Sequence, residues 1–315
     1  MSKLLVLTFA DKPLDESNHL RKSCEKYGIK WKSLIHSPWT ENVSKLKLLF
    51  EFIAEQDSEL VVLVADAYDV ILYDNHKAIL DIFLSLKSDI VFSGESNFFF
   101  KDSRKWIAYL RRCTRGRGTI YQYLNSGSYM GKVRHIKLLL EEMQDWFKID
   151  LSDEEALLPI KSDQYLLSRF FVDNSKQPDK LKLSIDKRHT LMGCTGGRFC
   201  VLKFPDLGKW QAFSFFIIER SLLKLLSLHK HQKKSKDFIF RSGRFYNKKT
   251  KTYPPIIHFP GTQNRFSKVL EELSKAKPVF SKKGTWIFAA GISCFAFIVS
   301  LSVGPIFWLI TRKLP

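Results

Sequence analysis

Asp66 and Asp69 stand three residues apart at the end of the apolar run Val61-Val62-Leu63-Val64-Ala65. A continuous apolar stretch of this length reads as a strand buried on both faces. In an open α/β sheet, ligands gather beyond the carboxyl ends of the strands, so the two carboxylates occupy a position suited to chemistry. Ionised that close together, they repel one another unless a cation lies between them. A divalent cation held there would also neutralise a nucleotide diphosphate while bridging it to the protein. The same spacing suits a helix cap beside a surface carboxylate, and the pair alone does not choose between the two.

The elements around this pair alternate. Residues 4–8 read as a strand, followed by the polar turn Asp11-Lys12-Pro13, and 17–27 as a helix stopped by Gly28. A second strand follows at 29–35. Ser44 is placed to cap a helix over 45–56 that carries Leu46, Leu49, Phe50 and Ile53 on one face. After the strand at 60–65 come a helix at 77–86 and a strand at 89–93, then a loop at 111–119 and a short strand at 129–130. Helices at 135–147 and 162–171 and an extended region from Leu181 complete the body. This order predicts an α/β fold with a largely parallel sheet, without internal repeats or low-complexity tracts.

Several segments carry a resemblance that the carboxylate pair alone does not. Asp66-Ala67-Tyr68-Asp69-Val70-Ile71, Ile90-Val91-Phe92-Ser93-Gly94-Glu95-Ser96 and Tyr123-Leu124-Asn125-Ser126-Gly127-Ser128-Tyr129-Met130-Gly131 occur in that order. Ser162-Asp163-Gln164, Leu183-Ser184-Ile185-Asp186 and Ile256-Ile257-His258 follow. The series resembles the glycosyltransferase domain of the procollagen lysyl hydroxylases and the related collagen-type galactosyltransferases. It spans residues 4–265, most of the chain ahead of its apolar C-terminal segment.

The resemblance implies a GT-A fold, a nucleotide-binding open α/β sheet flanked by helices, with a manganese ion on the diphosphate of a UDP-sugar. Asp66, Asp69 and His258 would hold the metal, and an imidazole beside carboxylates is a reasonable manganese ligand. Thr8, Lys45, Asp66 and Tyr68 would contact the nucleotide. Asn125, Asp163 and Gln164 would border the sugar and the acceptor as the catalytic group. The implied reaction moves glucose or galactose from UDP-glucose or UDP-galactose to a hydroxyl of a protein or glycan acceptor, hydroxylysine-type or already glycosylated. Two positions depart from the pattern. Leu48 stands where the hydroxylase domains have a tryptophan beside the nucleotide, and Phe259-Pro260-Gly261 where they have Gly-Asn-Gly. Nothing in the sequence resembles the iron-binding hydroxylase domain, so lysine hydroxylation is not expected.

Composition frames these readings. With 45% hydrophobic and 26% charged residues among 315, the chain is globular rather than disordered. Its net charge of +19 suits an anionic partner. Eleven Lys/Arg and a single acidic residue, Asp237, lie between Arg220 and Lys251. The stretch at 220–236 reads as a basic amphipathic helix, either solvated or lying on anionic lipid. The aromatic residues Phe238, Phe240, Phe245 and Tyr246 among the cations would suit a stacking platform for nucleic acid; without a nucleic-acid motif, no such partner is expected. An inactive membrane-surface, lipid- or nucleic-acid-binding module is the competing reading. The five cysteines lack CxxC spacing and read as buried thiols rather than a zinc site or disulfide framework.

Residues 284–310 are 27 positions without a charge. As a helix at ~1.5 Å per residue they reach roughly 40 Å, more than the ~30 Å hydrocarbon core of a bilayer. Residues 4–10 are too short for the apolar region of a signal peptide. The expected layout is therefore a catalytic domain at 1–270 with a basic amphipathic insert at 210–251, a basic linker at 271–283 and a single-pass C-terminal anchor at 284–310. Lys275, Lys277, Lys282 and Lys283 against Arg312 and Lys313 place the domain on the cytoplasmic side by the positive-inside bias.

Overall fold

The computed structural model describes residues 3–96, 119–174, 180–195 and 237–261. Its sheet begins as the apolar runs require. β1 (Leu4–Ala10) pairs in parallel with β2 (Lys30–Ile35) on one side and β3 (Val61–Asp66) on the other. The connections are helices, α1 (His19–Lys26) and α2 (Ser44–Ile53). Gly28 after α1 takes φ +62°, the left-handed stop that glycine supplies.

β3 is covered on both faces. Val62 and Val64 pack with Leu46, Leu49 and Ile53 of α2, while Val61, Leu63 and Ala65 pack with Leu20 and Cys24 of α1. Alternate residues of a strand point to opposite faces, so a run with no polar position is what a central strand between two helical layers needs. Each such side chain contributes about 1.5–3 kcal/mol on burial.

Further along come β4 (Val70–Leu72), α3 (His76–Ser85), β5 (Ile90–Glu95), β6 (Tyr123–Lys132), α4 (Val133–Phe147), the short α5 (Glu154–Leu157) and α6 (Asp163–Asp173). β7 (Leu183–Asp186), β8 (Met192–Cys194), a hairpin of β9 (Phe238–Arg241) and β10 (Arg244–Asn247), and β11 (Ile256–His258) follow. The strand order is β2-β1-β3-β6-β5-β8-β11-β4, with β7 paired to β5. Helices flank the open sheet, as expected.

The sheet is mixed rather than largely parallel. β6 runs antiparallel to both β3 and β5, and β4 antiparallel to β11, while the other pairings in the large sheet are parallel. β6 is also ten residues long rather than two. Its composition hides it: Asn125, Ser126, Gly127, Ser128 and Gly131 lack the bulk of a usual strand, yet they are buried. Small residues fit because neighbours come close. A Cβ on Gly131 would lie 2.9 Å from a side-chain carbon of Ile90.

One local expectation and one feature of the competing reading are corrected. Ser44 is the first helical residue of α2, not its cap; Val43 holds the cap position, and the Ser44 hydroxyl lies 3.0 Å from that of Thr40 and 3.4 Å from Glu154. The aromatic residues of the basic stretch do not form an open platform. Phe238 and Phe245 are buried and cluster with Ile257 and Phe259, and Phe240 meets Phe245 edge-on at 5.1 Å. Ser242 and Gly243 between the two strands both have positive φ, the conformation a tight two-residue hairpin turn demands.

Cys24 and Cys194 are buried thiols outside any disulfide among the described residues, and burial pushes the Cys24 thiol up to about 12. Cys113, Cys200, Cys294, the basic helix at 220–236, the linker at 271–283 and the apolar segment at 284–310 lie outside the described residues. Among the described residues no helix is long and apolar enough to cross a membrane.

Candidate metal and nucleotide site

Asp66 is the last residue of β3, and the chain turns through Ala67, Tyr68 and Asp69 directly into β4. The pair is thus a strand-to-strand turn rather than a helix cap. β4 lies against β11 with Val70 opposite His258, and the Phe259 N–H donates to the Asp69 carbonyl at 2.8 Å. Backbone pairing therefore brings His258 to Asp69 across nearly two hundred residues of sequence.

His258 Nε2 lies 3.4 Å from Asp69 Oδ1 and 3.6 Å from Asp66 Oδ2, and one potential ligand atom from each of the three lies within 4.8 Å of the others. Adjacent ligands of an octahedral ion with bonds of ~2.1 Å sit about 3 Å apart, so these separations suit a single cation. Asp69 is 1% and His258 2% exposed. Both Asp69 oxygens and His258 Nε2 lack a hydrogen-bond partner among the described residues. A buried carboxylate with no donor is costly unless a charge meets it. The donor set thus fits a divalent metal.

Lys45, in the first turn of α2, donates to Asp66 Oδ1 at 2.5 Å and lies 3.9 Å from Asp163 Oδ2. Burial works against its charge, but Asp66 and Asp163 outweigh it and hold the ammonium above its ordinary range. Burial pushes Asp66 up, and Lys45 and His258 more than reverse this, so its carboxyl stays below the usual value. Asp163 goes the other way: burial raises it, Asp66 adds to that, and Lys45 only partly offsets the rise. Asp163 opens α6, capped by Ser162, whose hydroxyl accepts the Tyr165 N–H. Burial disfavours a charged His258, but the charge on Asp69 prevails and raises its pKa well above 6.5.

The remaining expected residues are arranged around this cluster. Asn125 meets the ring of His258, its Oδ1 2.8 Å from Nδ1. Gln164 donates to Glu95 Oε1 at 2.7 Å and lies 3.5 Å from the Ser126 N–H. Glu95, 4% exposed at the end of β5, joins Asn125 and Gln164 and was not among the expected site residues. Its signal was present, because it closes a buried strand just as Asp66 does. Thr8 sits one strand away at the register of Ala65, fully buried with its hydroxyl unpartnered among the described residues. The Tyr68 hydroxyl donates to Asp11 just beyond β1. Leu48 packs half-buried against the core. Phe259 fills the aromatic cluster against Phe245 at 5.5 Å, which accounts for a bulky residue where the resembled pattern has glycine.

The family model described as the PLOD GT domain matches residues 1–197. The chain belongs to that family. It is 27% identical over 216 residues to procollagen-lysine,2-oxoglutarate 5-dioxygenase 1 of Gallus gallus, covering 64% of this chain and 27% of that protein. The Homo sapiens counterpart is 26% identical over 222 residues, covering 66% and 28%. The chain thus spans little more than a quarter of the length of these relatives. Among solved structures, a glycosyltransferase involved in the glycosylation of the major capsid of PBCV-1 is 16% identical with a TM-score of 0.34, covering 61% of this chain and 85% of that one; a likeness this slight carries no argument. Membership of the PLOD GT family makes this a glycosyltransferase-type domain, and its open mixed sheet flanked by helices fits the GT-A architecture.

Proposed function

We propose that the domain is a metal-dependent glycosyltransferase that moves glucose or galactose from a UDP-sugar to a hydroxyl of a protein or glycan acceptor. The observation that carries this reading is the set of buried, unpartnered donor atoms on Asp69 and His258 beside Asp66, at the carboxyl end of β3. Asp66, Asp69 and His258 would hold the cation, manganese in this proposal. When bound, it would neutralise charge accumulating on the departing diphosphate without a proton.

The chain's own residues do the rest. Lys45 exchanges part of its contact with Asp66 for the diphosphate and supplies a second positive charge. Asp163 presents its carboxyl group to the positive character that builds on the sugar ring as the glycosidic bond breaks. Gln164 and Asn125, braced on Glu95, border the sugar and acceptor side. Thr8 and Tyr68 flank the nucleoside from β1 and from the turn after β3. The segment at 284–310 anchors the protein in a membrane with the catalytic domain cytoplasmic, and the basic stretch at 220–236 adds contact with anionic lipid.

The test is release of UDP from UDP-glucose, UDP-galactose and related donors, with and without manganese, on protein lacking 284–315. Turnover that requires manganese and disappears in Asp69→Ala supports the reading; manganese-independent turnover, or full activity in that variant, defeats it. Alkaline-carbonate extraction and protease protection of the full chain test the anchor and its sidedness.

A further inference from the structure

Beside the three proposed ligands lies a hydrogen-bonded chain whose polarity the structure determines. Asn125 Oδ1 accepts the Gly127 N–H at 3.0 Å, and Asn125 Nδ2 donates to Glu95 Oε1 at 3.3 Å. Turning the amide over would set its NH2 against the Gly127 N–H and its oxygen against a carboxylate, so the orientation is fixed by its neighbours. The same Oδ1 lies 2.8 Å from His258 Nδ1. An oxygen facing a ring nitrogen attracts it only if that nitrogen carries the proton. In the neutral ring, Nε2 then holds the lone pair, and Nε2 is the atom that points at Asp66 and Asp69.

The backbone beneath the ring fixes where the ring lies. A Cβ on Gly127 would lie 2.1 Å from His258 Cε1 and 2.7 Å from each ring nitrogen. The imidazole therefore lies flat on a strand segment that has no side chain at that point. Flipping the ring about its Cβ–Cγ bond would carry Nδ1 away from Asn125 and lose the contact. Asn125 and Gly127 belong to one strand, β6, so two residues of the same segment set both the seat and the protonation of the ring.

We infer that Asn125 is a positioning residue for the metal ligand His258: it holds the proton on Nδ1 and leaves Nε2 free to bind the cation. This rests on the metal-dependent reading above and adds to it a role for Asn125 that is exerted through the imidazole, not through the sugar. A hydrogen bond to the second nitrogen of a metal-bound histidine fixes its tautomer and raises its basicity, and its loss weakens metal binding about 10–100-fold.

The experiment uses the full chain in detergent. Nitrogen-15 spectra of the His258 ring in metal-free protein, taken on the alkaline side of its titration, report which nitrogen carries the proton; manganese affinity is read by electron paramagnetic resonance. The wild-type ring is expected as the Nδ1–H form. Asn125→Ala is expected to bind manganese about 10–100-fold more weakly while its thermal unfolding in chelator shows an intact fold. A wild-type ring protonated on Nε2, or an Asn125→Ala protein that binds manganese as tightly as the wild type, overturns the inference and leaves the transferase reading intact. No manganese binding by the wild type overturns both. Should Asn125→Ala fail to fold, the wild-type ring signal still decides.

Discussion

Replacing Asp69 by asparagine alters charge without altering size, at a position 1% exposed whose two oxygens lack hydrogen-bond partners among the described residues. A neutral amide fits the same space, so the metal-free fold should survive. What it loses is its attraction for a cation, and that loss can be sized. A ligand that binds only the folded state stabilises it by about 2.7 kcal/mol at a hundredfold excess over its dissociation constant. For a domain of this size, 1 kcal/mol corresponds to about 2–4 °C in Tm, so manganese at that concentration should raise the wild-type Tm by about 5–11 °C. Asp69→Asn should show a shift below about 2 °C at the same concentration and lose more than about a hundredfold in UDP release, since removing a direct ligand costs more than removing its support. The assay is differential scanning calorimetry of the tail-deleted protein with and without manganese, paired with donor hydrolysis. An undiminished manganese shift in Asp69→Asn would refute the assignment of these three side chains as the cation site.

In chelator, His258 should make stability depend on pH. Its folded pKa is raised well above 6.5, so its contribution is complete below the unfolded value and is lost as pH rises through the folded one; urea unfolding across pH should show a decline on the alkaline side in the wild type that Asp69→Asn lessens. Lys45→Met removes the cation between Asp66 and Asp163; the metal-free protein should lose about 3–5 kcal/mol by urea titration, and affinity for UDP in the presence of manganese should fall at least about tenfold, one decade per 1.4 kcal/mol. Gly127→Ala drives a methyl into the His258 ring, and overpacking of this kind costs about 1–3 kcal/mol; calorimetry should show that loss together with a diminished manganese shift.

The parts of the fold that could be read directly were those whose residues announce their surroundings. The apolar run of β3 implied a strand covered twice, and the carboxylates at its end implied a site. Gly28 marked the end of α1. β6 was largely missed because a central strand that must seat an imidazole on Gly127 and pass close to Ile90 is built from small and polar residues, the opposite of strand propensity. Ser44 has the chemistry of a cap but lies one residue inside the helix, where its hydroxyl meets Thr40 and Glu154. The cations around Phe238 and Phe245 suggested an exposed surface, and only the packing of these rings against Ile257 and Phe259 shows that they are core. His258 is the clearest limit. Nothing in its neighbours' spacing ties it to Asp69; that tie is made by the pairing of β11 with β4, so it entered through likeness to other chains.

That pairing also orders events during synthesis. β11 lies between β8 and β4, and it is the last of the described strands to be made. A nascent chain that has cleared the ribosome only to about residue 250 already carries both carboxylates, but β8 and β4 each present an open edge where β11 will insert. Open edges of this kind recruit other strands and expose incomplete chains to aggregation. Pairing of three residues, Ile256–His258, with both strands closes these facing edges and sets the imidazole beside Asp69. The three side chains of the proposed cation site therefore come together only once β11 has joined the sheet.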